Sequence, residues 1–129
     1  VLATDTLESV RLAARAAVDK KAFHVVGIDV ASLTSFTDSF LICSAASDRQ
    51  VAAISEEVQR QLSSGGRRPL HVEGEARSDW VLLDYGDFIV HVFTEEKRSY
   101  YALDSLWGDA PRLDEPQLGI AGGDGPDER

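Results

Sequence analysis

Residues 80–93 read Trp80-Val81-Leu82-Leu83-Asp84-Tyr85-Gly86-Asp87-Phe88-Ile89-Val90-His91-Val92-Phe93, and this stretch decides the architecture. Two runs rich in aliphatic and aromatic residues flank a turn signal, which is the pattern of a β-hairpin. With Tyr85-Gly86 as the loop, Leu83 faces Phe88, Val81 faces Val90, Leu82 faces Ile89 and Trp80 faces His91. Alternation along each strand then sorts the side chains into two faces. One face holds Val81, Leu83, Phe88, Val90 and Val92, all apolar, and must be core. The other holds Trp80, Leu82, Asp84, Asp87, Ile89, His91 and Phe93. A face that mixes aromatics with Asp and His is either covered by a layer that satisfies its polar groups or used for contact. The hairpin forces an antiparallel pair, so a purely parallel dinucleotide-binding sheet is excluded.

Working outward, the chain alternates helical and strand patterns. Asp5 and Glu8 have capping-box spacing, and Leu7, Val10, Ala14, Ala17 and Val18 follow a helical period, predicting a helix over about residues 5–20. Phe23 to Val30 and Phe40 to Ser44 read as strands. Ser47 and Gln50 form a second capping-box pair, followed by a stripe of Val51, Ile54, Val58 and Leu62; Gly65-Gly66 and Pro69 stop that helix. Leu70 to Glu73 is a third strand. Thr94 is placed to cap a last helix, with Glu95 and Glu96 at its positive end. The order α, β, β, α, β, β, β, α predicts an α/β fold: a mixed five-stranded sheet with helices packed on it.

Pro111 to Arg129 differs in composition, with three of the four prolines, four of the ten glycines and five acids against two bases. So little apolar surface predicts a flexible acidic tail over 111–129, dispensable for folding, and a single folded domain over 1–110. The whole chain has 129 residues, 43% hydrophobic and 27% charged, which suffices for a core without disulfides or metals. Its 13 Lys+Arg against 22 Asp+Glu give a net charge of -9, which disfavours nucleic acid or anionic lipid as a bulk partner and suits a basic protein. The single cysteine, Cys43, excludes an internal disulfide, and no apolar run is long enough for a membrane span. Val1 to Glu8 carries no secretory signal.

No catalytic constellation is legible. His24 and His91 sit inside strand patterns, where a lone histidine is usually a packed structural residue. Cys43 lies in an apolar strand without a basic neighbour, the setting of an inert thiol. His71, Glu73 and Glu75 alternate, but any three polar residues on a strand would do so, and no metal or cofactor is expected. Gly65-Gly66-Arg67-Arg68 reads as a helix stop followed by two solvated arginines, and Asp84 and Asp87 as turn residues.

Several blocks together resemble one known family. They are Thr37 to Ser44 (TDSFLICS), Ser47 to Val51 (SDRQV), Val72-Glu73-Gly74, Asp79 to Asp87 (DWVLLDYGD), Val90 to Phe93 (VHVF) and Tyr101 to Trp107 (YALDSLW). In this order they resemble the ribosome silencing factor, or Iojap-like, family over about residues 5–110; Asp104 stands where many members carry Glu. The resemblance implies a nucleotidyltransferase-like fold without the chemistry. It also implies a translation repressor that binds the large ribosomal subunit through ribosomal protein uL-fourteen. Docked there, it blocks joining of the small subunit when nutrients are short, as in stationary phase, in the bacterial cytoplasm. Two alternatives stand beside it: a nucleotidyltransferase-type enzyme and a generic protein-interaction module. The first lacks its Gly-Ser turn and acid pair, Asp38 being alone in the comparable region.

The resemblance and the mixed hairpin face meet on the expected partner-binding residues, Glu73, Trp80, Asp84, His91, Tyr101, Leu106 and Trp107. Trp80 is the expected anchor, ringed by carboxylates that complement a basic ribosomal protein. No membrane and no direct sequence-specific nucleic acid are expected as partners. A homodimer of the free protein is left open.

Overall fold

The computed structural model describes residues 4–74, 78–101, 108 and 110–120. Helix α1 (Thr4–Asp19) leads into β1 (Phe23–Asp29), then β2 (Ser39–Ala45), α2 (Asp48–Ser64) and β3 (His71–Glu73). The hairpin strands β4 (Trp80–Asp84) and β5 (Phe88–Thr94) follow, then α3 (Glu95–Tyr101), β6 (Arg112–Leu113) and α4 (Glu115–Leu118). The strands form one open sheet in the order β3-β4-β5-β2-β1-β6. Only β2 and β5 run parallel; the other neighbours are antiparallel, so the sheet is mixed as expected. It has six strands, however, because β6 pairs with β1 through Gly27 and Ile28.

The second expectation to correct is the tail. Residues 111–120 are part of the folded body, not a flexible extension. The Asp29 N–H donates to the Pro111 carbonyl at 2.8 Å. A capping box between Asp114 and Gln117 starts α4, and Leu118 is fully buried in the main core. Low average hydrophobicity concealed one well-placed leucine, whose burial contributes about 2 kcal/mol.

Helices α1 and α2 cover one face of the sheet. Val10, Ala13, Ala14 and Ala17 of α1 and Val51, Ile54, Val58 and Leu62 of α2 are buried there against Val81, Leu83, Phe88, Val90 and Val92, the five residues that alternation assigned to the core. The α2 cap is half as expected: the Gln50 N–H donates to Ser47 Oγ at 3.2 Å, but the Gln50 side chain accepts the Ala46 N–H rather than that of Ser47. Helix α1 differs: it already includes Thr4, which puts Asp5 in the first turn rather than at the cap.

The hairpin register slips by two residues from the one expected. Trp80 lies opposite Phe93, Leu82 opposite His91 and Asp84 opposite Ile89, and the Tyr85 N–H donates to the Phe88 carbonyl at 2.9 Å. The loop is therefore Gly86-Asp87, with Gly86 at φ 93° as such a turn requires. Because side chains alternate with period two, a two-residue slip leaves both face assignments intact.

Arg67 is not a solvated arginine. It forms an ion pair with Asp87 at 2.7 Å and donates to Ser9 Oγ at 3.1 Å and to the Tyr85 carbonyl at 3.1 Å. Thr6 Oγ1 donates to the same Asp87 at 2.7 Å. This group ties α1 and the end of α2 to the hairpin turn. Burial pushes the Asp87 carboxyl up, but hydrogen bonds from Arg67 and Thr6 and the Arg67 charge outweigh it and hold the group below the usual carboxylate range.

Candidate functional site

The face of the sheet opposite α1 and α2 carries a second cluster of Ile28, Val30, Phe40, Ile42, Ile89 and Phe93, with Trp80 and Leu82 packed against it. At the β3–β4 corner this cluster reaches the surface. Cross-strand pairing sets His71 beside Asp84 and Glu73 beside Leu82, so Glu73, Leu82, Asp84 and Trp80 share one face. Glu73 is exposed, and Trp80, Leu82 and Asp84 are half-buried. Glu73, Gly74, Trp80 and Leu82 line a cavity of about 160 Å³.

Trp80 is held rigidly. Its ring stacks on Phe93 at 5.2 Å between centroids and on His91 at 6.0 Å. Its indole N–H donates to His91 Nδ1 at 3.2 Å, which requires an imidazole with Nδ1 unprotonated. His91 is 5% exposed and also meets the Phe40 ring edge-on at 5.2 Å. Burial pulls its pKa down to about 4, so it stays neutral at pH 7. His91 thus lies beneath Trp80 as its support and presents no surface of its own.

The carboxylates are partly engaged. Asp84 accepts the Gly86 N–H at 2.8 Å, the turn role that its position suggested. Glu73 is bonded to His71 at 2.8 Å. The side chains of Tyr101, Leu106 and Trp107, like Glu75, lie outside the described residues. Sequence reading left Leu82, Leu70, Val72 and Gly74 off the site, although alternation had placed Leu82 on the right face. Leu70 is 76% and Val72 42% exposed.

Gly74 turns the chain out of β3 at φ 105°, and a Cβ there would stand 2.5 Å from the Trp80 carbonyl oxygen. Gly74→Ala is expected to cost about 2 kcal/mol through left-handed strain and that clash. Urea denaturation checks this, and an unchanged midpoint would refute it.

Chemically the corner offers carboxylates and an aromatic face but no free indole donor, an arrangement suited to cationic and apolar groups. Elsewhere, burial pushes the Cys43 thiol up to about 12, which suppresses the thiolate. The carboxyl ends of the parallel strands β2 and β5 are where open α/β sheets hold ligands. There Arg98 donates to Ser44 Oγ at 2.8 Å and to the His24 carbonyl, and His24 Nδ1 lies 3.2 Å from Glu95. The larger cavity of about 560 Å³, lined in part by Asp5, Glu8, Arg67 and Asp87, surrounds the Arg67 ion pair.

These features define a small α/β protein with an open mixed sheet and an aromatic, carboxylate-bearing corner at one sheet edge. The family model described as "Ribosomal silencing factor during starvation" matches residues 3–126. The chain belongs to this family. It is 43% identical to the ribosomal silencing factor RsfS of Bacillus subtilis over 104 residues, covering 81% of this chain and 88% of the relative. It is 31% identical to the chloroplastic Iojap protein of Zea mays, covering 80% of this chain and 45% of that protein. A crystal structure from Chromobacterium violaceum superposes with a TM-score of 0.76 at 36% identity, covering 78% of this chain and 84% of that one.

Proposed function

We propose that this protein represses translation in the bacterial cytoplasm by binding the large ribosomal subunit through ribosomal protein uL-fourteen. Docked there, it blocks joining of the small subunit when nutrients are short, and it acts by occupancy rather than catalysis. The observation that carries this reading is Trp80, half-buried, backed by Phe93 and His91, and sharing its face with Glu73 and Asp84. A rigid aromatic among carboxylates is the kind of anchor that binds a basic protein surface. Family membership supplies the ribosome as the place to look.

Trp80→Ala is expected to weaken binding to purified uL-fourteen about thirtyfold, close to 2 kcal/mol. The substitution also removes packing from Phe93 and the donor from His91, so the fold is expected to lose about 2 kcal/mol as well. Trp80→Phe, which keeps the stacking, separates the two effects. Asp84→Asn retains the oxygen that caps the turn while removing the charge, and is expected to weaken binding most at low salt. Circular dichroism on each variant confirms folding. Wild-type affinity in a folded Trp80→Ala protein would place the contact elsewhere. Metal-dependent turnover of labelled nucleoside triphosphates would overturn the non-catalytic reading.

A further inference from the structure

The two edges of the sheet are finished differently. At one, β6 is followed at once by α4, which packs on α1 and β1. At the other, β3 has a single strand neighbour among the described residues, all three of its residues, Val72 among them, are exposed, and Leu70 stands open just before it. Exposed edges with apolar side chains are ones that natural sheets avoid unless another chain pairs with them.

Two cavities flank this edge, one on each face of the sheet, and Gly74 lines both. On the Trp80 face lies the cavity of about 160 Å³ formed with Glu73, Trp80 and Leu82. On the α2 face lies one of about 190 Å³ formed by Val72 and Val81 with Ala52, Ser55, Glu56 and Gln59. Neighbouring residues of an extended strand point to opposite faces. A strand laid along β3 therefore delivers two successive side chains, one to each cavity.

The chemistry of the cavities says what those side chains are. In the first, the indole N–H is spent on His91, leaving an aromatic surface and the Glu73 carboxylate, which select a cation. In the second, Ala52, Val72 and Val81 offer an apolar patch, with Ser55, Glu56 and Gln59 on the α2 side, and the patch takes an apolar group. We propose that the free edge of β3 takes an added strand from a basic partner protein, with a Lys or Arg seated against Trp80 and Glu73 and an adjacent apolar residue seated against Val72. A second copy of this chain fits less well. It brings another -9 of net charge, and its own edge, Leu70-His71-Val72-Glu73, has no Lys or Arg to fill the first cavity.

This inference rests on the reading that the β3–β4 corner meets the large subunit, and it adds the mode of attachment. The test is amide hydrogen exchange of the full chain, alone and with excess purified bacterial large ribosomal subunits. Binding is expected to slow exchange of residues 70–73 at least about tenfold. Glu73→Gln, an exposed substitution that leaves the fold intact, is expected to weaken binding about fivefold and to reduce its salt dependence. Subunit binding with exchange of 70–73 unchanged would overturn strand addition while leaving the ribosomal reading in place. Failure to co-sediment with large subunits would overturn both. Concentration-dependent protection of 70–73 in the protein alone, with a dimer in sedimentation velocity, would assign the edge to a second copy and overturn the proposed partner.

Discussion

A chain ended after Ala110 is expected to be severely destabilised or unfolded, whereas one ended after Ile120 keeps every contact described above. Truncation at Ala110 deletes β6, its pairing with Gly27 and Ile28, and α4. It also takes away Leu118, which is fully buried, and Leu113, which packs on the same core. Removing one buried leucine side chain typically costs about 2–5 kcal/mol. A whole edge strand and its covering helix cost more, against a total stability that for most domains is only about 5–15 kcal/mol. Leu118→Ala alone is expected to lower stability by about 3 kcal/mol. Urea titrations of the two truncations and the point variant supply the comparison. An Ala110 truncation with the full-length midpoint would mean that β6 and α4 contribute nothing to the fold.

The second large effect is expected from pH. His91 is held near pKa 4 when folded, against 6.5 for the free side chain, because burial penalises its charged form. Between those values the unfolded chain binds a proton that the folded chain refuses. Stability is therefore fully present above about pH 6.5 and falls as the pH drops toward 4, by on the order of 3 kcal/mol. Below that both states carry the proton and the penalty stops growing. Protonation also removes the acceptor for the Trp80 N–H, so the aromatic stack loosens together with the fold. His91→Phe cannot titrate and is expected to flatten the stability profile across this window, at the cost of leaving the indole without its acceptor. A wild-type profile that is flat from pH 6.5 to 4 would show that His91 is solvated or paired in some other way.

Local and periodic features were the legible ones. The hairpin's two faces emerged correctly although the loop was placed one position early, because the error amounted to two residues in the partner strand and parity was kept. The stripe and cap of α2 were equally plain, since both depend on neighbours within four positions. The Arg67 ion pair was not legible, because its acceptor lies 20 residues away across a fold contact and no spacing rule connects Gly-Gly-Arg-Arg to a turn aspartate. The His91 support was half legible. The expected register set the two directly opposite each other; in the true register they meet diagonally, with Phe93 opposite the indole. The last ten described residues were misread on composition, although Asp114 and Gln117 carry the same three-residue spacing that correctly opened α2. Average hydrophobicity outweighed a capping signal, and the signal was right.

The meeting of α4 with α1 has a consequence for synthesis. Arg11 Nε donates to the Gln117 carbonyl at 2.9 Å across a separation of 106 residues, and α4 packs on α1 beside it. At elongation speeds of about 5–20 residues per second the first helix waits on the order of 5–20 s for that partner to be made. Throughout that interval its inner stripe is uncovered on that side. The buried residues of the stripe are small, Ala13, Ala14, Ala16 and Ala17 with Thr6 and Val10, and Leu12 and Val18 flank them. Small side chains at the centre of that face offer less adhesive area to chaperones or neighbouring nascent chains than leucines would, which suits a helix whose cover arrives last.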